Sequence, residues 1–160
     1  MKYLCFFIII ICTGCNAKHM SAEKITSYAI RLKPGQDLKN ELTAFVKEKQ
    51  LQAGWISTCA GSLTHYSIRL ANQPDSSTGE GHFEIVSLTG TVSVNGSHLH
   101  ISLSDSTGKT IGGHLLEGCK IYTTAEIVIL ATDKYTFTRE KDGTTPWDEL
   151  QIHPNGDLKE

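Results

Sequence analysis

HLHISLSDSTGKTIGGH, residues 98–114, decides how the rest of the chain reads. Its first half alternates, with His98, His100, Ser102 and Ser104 on one side of an extended chain and Leu99, Ile101 and Leu103 on the other. That period of two is the pattern of a strand with one buried face. Asp105-Ser106-Thr107-Gly108 supplies turn chemistry, and Gly108 tolerates a positive φ. Lys109, Thr110 and Ile111 begin a returning strand, with Gly112 and Gly113 just ahead of His114. The stretch predicts a β-hairpin that carries three histidines.

Whether the three rings meet depends on register. Pairing Leu103 with Lys109 across a five-residue connection sets His98 opposite His114 and His100 opposite Gly112. All three imidazoles then share one face, at cross-strand Cβ separations of about 5 Å. A slip of one residue sends His114 to the other face, and a bulge at Gly112-Gly113 would return it. Three neutral ring nitrogens with an open position suit zinc, nickel or iron, and zinc leads as a tetrahedral, nitrogen-accepting ion. Ser102 or a backbone carbonyl is placed to orient a ring from behind. The competing reading is a polar, half-exposed sheet face on which the histidines only hydrogen-bond to one another and to nearby serines.

The stretch from Gly81 to Leu130, GHFEIVSLTGTVSVNGSHLHISLSDSTGKTIGGHLLEGCKIYTTAEIVIL, resembles the core of the PPC (plant and prokaryote conserved) domain. The resemblance rests on Gly81, Phe83, Glu84 and Ile85, on Ser87, Leu88 and Gly90, and on the hairpin residues His98, His100, Ser102, Leu103, Gly108, Gly112, Gly113 and His114. Thr124, Ala125 and Glu126 continue it, and Arg31-Leu32-Lys33-Pro34-Gly35 and Ala60-Gly61-Ser62-Leu63 fit upstream. It covers roughly residues 25–140, and it implies a homotrimer with subunit edges as interfaces. It also offers Phe83, Glu84 and Ile85 as partner-contact residues. Plant relatives join this domain to AT-hook segments in DNA-binding proteins. This chain has no Arg-Gly-Arg-Pro core, and those relatives lack the three histidines.

Residues 1–17 read as an export signal. Lys2 is a short basic start, the apolar run after it is too short to span a membrane, and Gly14-Cys15 resembles the end of a lipobox. Lipidation of Cys15 would make the protein a membrane-anchored lipoprotein; cleavage after Ala17 would release it as a periplasmic or secreted protein. Lys2 is the one charge among these residues, so without them 14 basic residues face 17 acids and the net charge moves from −2 to −3. That balance has no basic patch of the kind nucleic acid needs.

Residues 22–140 then form one domain and residues 141–160 a tail, whose Trp147 and Leu150 could pack on a neighbour. Strands are expected over residues 24–33, 52–59, 64–70, 82–88, 91–94, 120–131 and 135–139. Asp37 caps a helix over residues 38–50. Ala60-Gly61-Ser62-Leu63 is expected as a tight turn, residues 72–81 as a partner-binding loop, and Asn95-Gly96 as a hairpin signal. Residues 120–131 should be the longest strand, buried on both faces at Ile127 to Leu130. Cys59 and Cys119 are either one disulfide or two separate thiols. The fold class is therefore α+β, a mostly antiparallel sheet of about seven strands with one main helix.

Two functional readings follow. In one, His98, His100 and His114 hold a transition metal, either as a binding module or in a hydrolase-like enzyme with Glu84, Glu117 or Glu126 as candidate base. In the other, the domain is a non-enzymatic scaffold for DNA or protein.

Overall fold

Two long strands carry the architecture. In the computed structural model, which describes residues 24–156, the elements run β1 (Ile25–Leu32), α1 (Leu38–Glu48), β2 (Gly54–Arg69), β3 (Ser76–Ser93), β4 (Gly96–Ser104), β5 (Thr110–Leu115), β6 (Lys120–Thr132), β7 (Tyr135–Glu140) and β8 (Glu149–Pro154). The export signal over residues 1–17, with Cys15, lies outside the described residues. Six strands form one sheet in the order β1-β6-β2-β3-β4-β5, and β7 pairs with β8 in a second. Every strand pairing is antiparallel. The α+β class with one main helix therefore holds, with eight strands among the described residues.

The extra length of β2 and β3 changes several expectations. Ala60 to Leu63 does not turn. The chain runs straight through as part of β2, and the irregularity appears as register shifts against β6 at Gly61/Leu63 and Leu63/His65. A Cβ at Gly61 would sit 2.3 Å from the Thr124 carbonyl oxygen, so this glycine admits a close backbone approach. The loop expected at residues 72–81 is also shorter. Ser76, Ser77, Thr78, Gly79 and Glu80 are drawn into β3 opposite β2, because an available partner strand outweighs weak intrinsic propensity. Residues 82–88 and 91–94 belong to that same strand. β6 is shorter than β2 or β3, and it alternates: Ile127, Ile129 and Ala131 are buried while Val128 and Leu130 are only half-buried.

The core lies between the inner face of this sheet and α1. The helix places Leu38, Leu42 and Val46 at intervals of four against it, all buried. They join Leu63, Ile68, Leu103, Ile121 and Ile127, each at most 1 % exposed; such side chains contribute about 1.5–3 kcal/mol apiece on burial. Asp37 holds the start of the helix. Its Oδ1 accepts from Asn40 N at 3.1 Å, its Oδ2 from Gly118 N at 2.7 Å, and Lys120 Nζ lies 3.4 Å away. One buried carboxylate thus ties α1 to the turn before β6. Cys119 is buried and Cys59 half-buried, both as free thiols. Burial pushes each up to about 11.

Two features bring distant segments to the histidine hairpin. First, the sheet curls until the end of β2 meets β5, pairing Ile68 with Leu115 and Arg69 with His114. Second, the stretch read as a tail supplies β8, which pairs with β7 from Tyr135↔Pro154 to Glu140↔Glu149. β7 is anchored through Phe137: its N–H donates to Gln52 O at 2.9 Å, and its carbonyl accepts from Ser93 Oγ at 3.1 Å and Asn95 Nδ2 at 3.0 Å. Trp147 packs under the Arg69 guanidinium of its own chain, 5.0 Å from the ring centroid.

Candidate metal centre

The hairpin forms as the alternation requires. Leu99, Ile101 and Leu103 are buried, while His98 and His100 face out. Asp105 organises the connection: its Oδ1 accepts from Thr107 N at 2.8 Å, Thr107 Oγ1 at 2.7 Å and Lys109 N at 3.0 Å. Those bonds, led by the Thr107 hydroxyl, hold its carboxyl below the usual range. Gly108 takes the expected positive φ, +83°.

The connection keeps its five residues but moves one position along each strand. Ser104 pairs with Thr110, Ser102 with Gly112, and His100 with His114. The register is thus two residues from Leu103↔Lys109, and an even shift preserves facing. No bulge at Gly112-Gly113 is needed. Gly113 serves the other neighbour: a Cβ there would stand 2.5 Å from the Arg69 carbonyl oxygen, so glycine is what lets β5 approach β2.

A cross-strand row results, Thr89–His100–His114–Arg69, with Thr91–His98 beside it. The candidate ligand atoms of His98, His100 and His114 all lie within 4.8 Å of one another. His98 Nε2 is 3.1 Å and His100 Nε2 3.2 Å from the same atom, His114 Nδ1. A ring nitrogen carries either one proton or one lone pair, so His114 Nδ1 can satisfy one neighbour but not both. A cation between them satisfies all three. With metal–nitrogen bonds of about 2.0–2.1 Å, tetrahedral ligands stand about 3.3 Å apart, close to the two spacings at His114 Nδ1. The donor set therefore fits a zinc-class ion, held by His98 Nε2, His100 Nε2 and His114 Nδ1.

The electrostatics favour neutral rings. Partial burial first, then His100 and Arg139, hold His98 below its ordinary value. His114 is lowered by partial burial and then by Arg69 and the other two rings. Neutral imidazole is the form that binds metal.

The other sequence-selected residues lie elsewhere. Ser102 is on the strand but makes no side-chain hydrogen bond to a ring among the described residues. Glu84 is exposed opposite Ser104, Glu126 sits on β6 opposite Arg31 and Ala60, and Glu117 lines a separate hollow with His65 and Tyr66. None of these acids lines either concavity at the histidines. Of the proposed contact residues, Ile85 is a core residue at 6 % exposure and Phe83 stacks edge-on with Tyr66 at 5.0 Å. Only Glu84 is freely exposed, so the G-x-F-E-I block serves chiefly to build the core.

The residues that do surround the rings were not expected at the site, although Trp147 and Leu150 were expected to pack on a neighbour. Arg69, Arg139, Trp147 and Glu149 border a cleft of about 670 Å³ reaching His98 and His114. An adjoining hollow of about 300 Å³, which shares Arg139 and Glu149 with the cleft, reaches His98 and His100 and is lined by Thr89, Thr91 and Leu150. Arg139 Nη2 donates to Thr91 Oγ1 at 2.6 Å, which fixes it beside His98. No local motif marks these residues; only the pairing of β7 with β8 and the curl of β2 bring them here.

With the site described, its relatives can be placed. Residues 19–133 match the sequence model of the Plants and Prokaryotes Conserved (PCC) domain. The chain is 45 % identical over 125 residues to the bifunctional protein GlmU of Synechococcus sp. (strain JA-3-3Ab), an alignment covering 78 % of this chain. The chain spans about a fifth of the length of that relative. A solved structure of a hypothetical protein from Salmonella is 42 % identical with a TM-score of 0.81, over 85 % of this chain and 99 % of the other. A metal-containing protein from Archaeoglobus fulgidus shares the fold at 24 % identity and a TM-score of 0.68, over 82 % of this chain and 99 % of that one. The chain belongs to the Plants and Prokaryotes Conserved (PCC) domain family.

Proposed function

We propose that this protein is a PCC-domain module that binds one divalent transition metal, zinc foremost, through His98, His100 and His114. The observation that carries the reading is the shared focus of two imidazole nitrogens on His114 Nδ1 at 3.1 and 3.2 Å. One cation resolves that arrangement for all three rings at once. The metal-containing relative from Archaeoglobus fulgidus supports it. When bound, the ion supplies a Lewis-acid position open to solvent. The chain contributes the three nitrogens, a rigid two-stranded base under them, and partial burial that favours the neutral form of His98 and His114. Elemental analysis of protein purified without chelators and dialysed against zinc should return about one ion per chain. Less than a tenth of an ion per chain would overturn the assignment.

Two further proposals accompany this one. The protein is exported and held at a membrane by a lipid on Cys15, as the order of basic start, apolar run and Gly14-Cys15 suggests. Labelled fatty acid should enter the protein, and a mature N-terminus at Lys18 would refute the anchor. It also assembles as a homotrimer without help from metal. Half-buried Val128 and Leu130 on the outer face of β6 leave apolar surface for a second copy to cover. Light scattering should give three times the monomer mass with or without a chelator, and a monomer at micromolar concentration would refute it.

A further inference from the structure

We infer that the cleft beside the histidines is a binding site for a small organic oxyanion, a carboxylate or phosphate monoester, held jointly by the metal and by Arg69 and Arg139. The inference rests on the metal reading above and extends it to the ligand.

Both guanidiniums are half-buried, and each is fixed next to a ring. Arg69 is the direct cross-strand partner of His114; Arg139 is tied to Thr91, the partner of His98. Among the described residues neither forms an ion pair with a carboxylate within 4 Å. Glu149 acts on Arg139 only from a distance, and Arg69 stacks on Trp147, so each fork keeps room for an anion in direct contact. Two of them flank one face of the cluster, where three neutral imidazoles would leave the charge of a divalent ion uncompensated. That concentration of positive charge, with planar forks suited to two-oxygen groups, selects a carboxylate or phosphate.

The remainder of the cleft limits the ligand. Its volume of about 670 Å³ is that of a small-molecule pocket. Trp147, 59 % exposed and stacked under Arg69, offers a flat wall for the ligand's uncharged body. Asp148 and Glu149 lie on the border of the same cleft. They repel a second anionic group, so the charged end is directed to Arg69, Arg139 and the rings. The wall formed by Trp147, Asp148 and Glu149 falls beyond residue 133, where the family match ends, so it comes from the C-terminal segment and not from the matched domain.

The test uses the full chain loaded with cobalt in place of zinc, with metal content measured first. Inorganic phosphate and acetate are then titrated while the visible cobalt spectrum is followed, and uptake is quantified by equilibrium dialysis. One or both anions should change the spectrum saturably, and the stronger of the two identifies the oxyanion class. Arg69→Ala and Arg139→Ala should each weaken binding by about tenfold, the loss expected for one charged hydrogen-bond partner. Cobalt content should stay unchanged. Arg69→Lys, which keeps the charge but not the fork, should fall between. If cobalt is retained but neither anion alters the spectrum or is bound at 10 mM (roughly the weak-binding limit), or if the arginine variants bind as well as the parent, the inference is wrong and the metal reading survives. If no cobalt is retained, both fall together.

Discussion

His65 and the His98–His100–His114 cluster lie on the same sheet, yet their ring nitrogens meet opposite circumstances. His65 turns its nitrogens to different groups: Nδ1 lies 2.9 Å from Thr64 Oγ1, and Nε2 faces a Glu80 carboxylate oxygen at 3.6 Å. The cluster nitrogens face one another, with two rings directed at a single atom. The first arrangement offers its nitrogens a hydroxyl and a carboxylate, and solvent meets any remaining need. The second is the arrangement a cation would complete. A histidine therefore becomes a candidate ligand when its nitrogens face groups with the same requirement, and exposure alone does not mark it: His65 and His98 are both exposed.

The largest effect that would break this contrast is on metal content. His100→Ala should abolish stoichiometric zinc, because the ring removed is one of the three proposed ligands, while circular dichroism stays unchanged. Retained zinc in that variant would make the cluster structural. A smaller but still large effect is expected for Gly113→Ala. The added Cβ would meet backbone only 2.5 Å away, so β5 must separate from β2. Overpacking of this kind costs about 1–3 kcal/mol, to be read from urea unfolding, and it should weaken zinc binding by displacing the adjacent His114. Unfolding within about 0.5 kcal/mol of the parent, the usual range for a neutral change, would show that the closure of the sheet is loose.

pH sharpens the contrast further. His98 and His114 are held below their ordinary values, so in the metal-free protein the native state takes up protons later than the unfolded state. Their contribution to stability is therefore undiminished above about pH 6.5 and is lost as pH falls from there toward the depressed native values. Metal affinity follows the same direction, since protons compete for all three ligands, and should drop at least about tenfold between pH 7 and 5. Calorimetric titration at several pH values checks this, and a flat profile would exclude imidazole ligands. The smallest effect is reserved for the comparison residue. His65→Ala should leave zinc content untouched and alter stability by less than about 0.5 kcal/mol, as for an exposed pair; an effect on metal as large as that of His100→Ala would erase the distinction.

Much of this was legible in the residues. The alternation from His98 to Leu103 put two rings on one face, and Asp105 to Gly108 gave a turn, because both signals are local and the period of two is enforced by the backbone itself. The parity of the hairpin survived even though the register was two residues away, since an even shift leaves every side chain on its face. What failed were judgements that required knowing the partner. Ala60 to Leu63 and residues 76–81 have turn-like composition, yet both became strand once β2 and β3 lay side by side. Ile85, expected as a contact residue, is buried within the chain. The outer face of β6 looked buried and is only half-covered.

From sequence alone came the family, the class, the helix with its Asp37 cap, and the three histidines as a group able to share one face. Only the tertiary structure decided that His114 stands directly between His100 and Arg69. It also decided that Arg139, Trp147 and Glu149 border the site and that Glu84, Glu117 and Glu126 do not. The physical reason is range. Periodicity and turn chemistry act over a few residues and leave their mark in the order of the chain. Register across a closed sheet is settled by close approaches such as Gly113 against Arg69 and by the packing of β7 and β8, and these have no local signature.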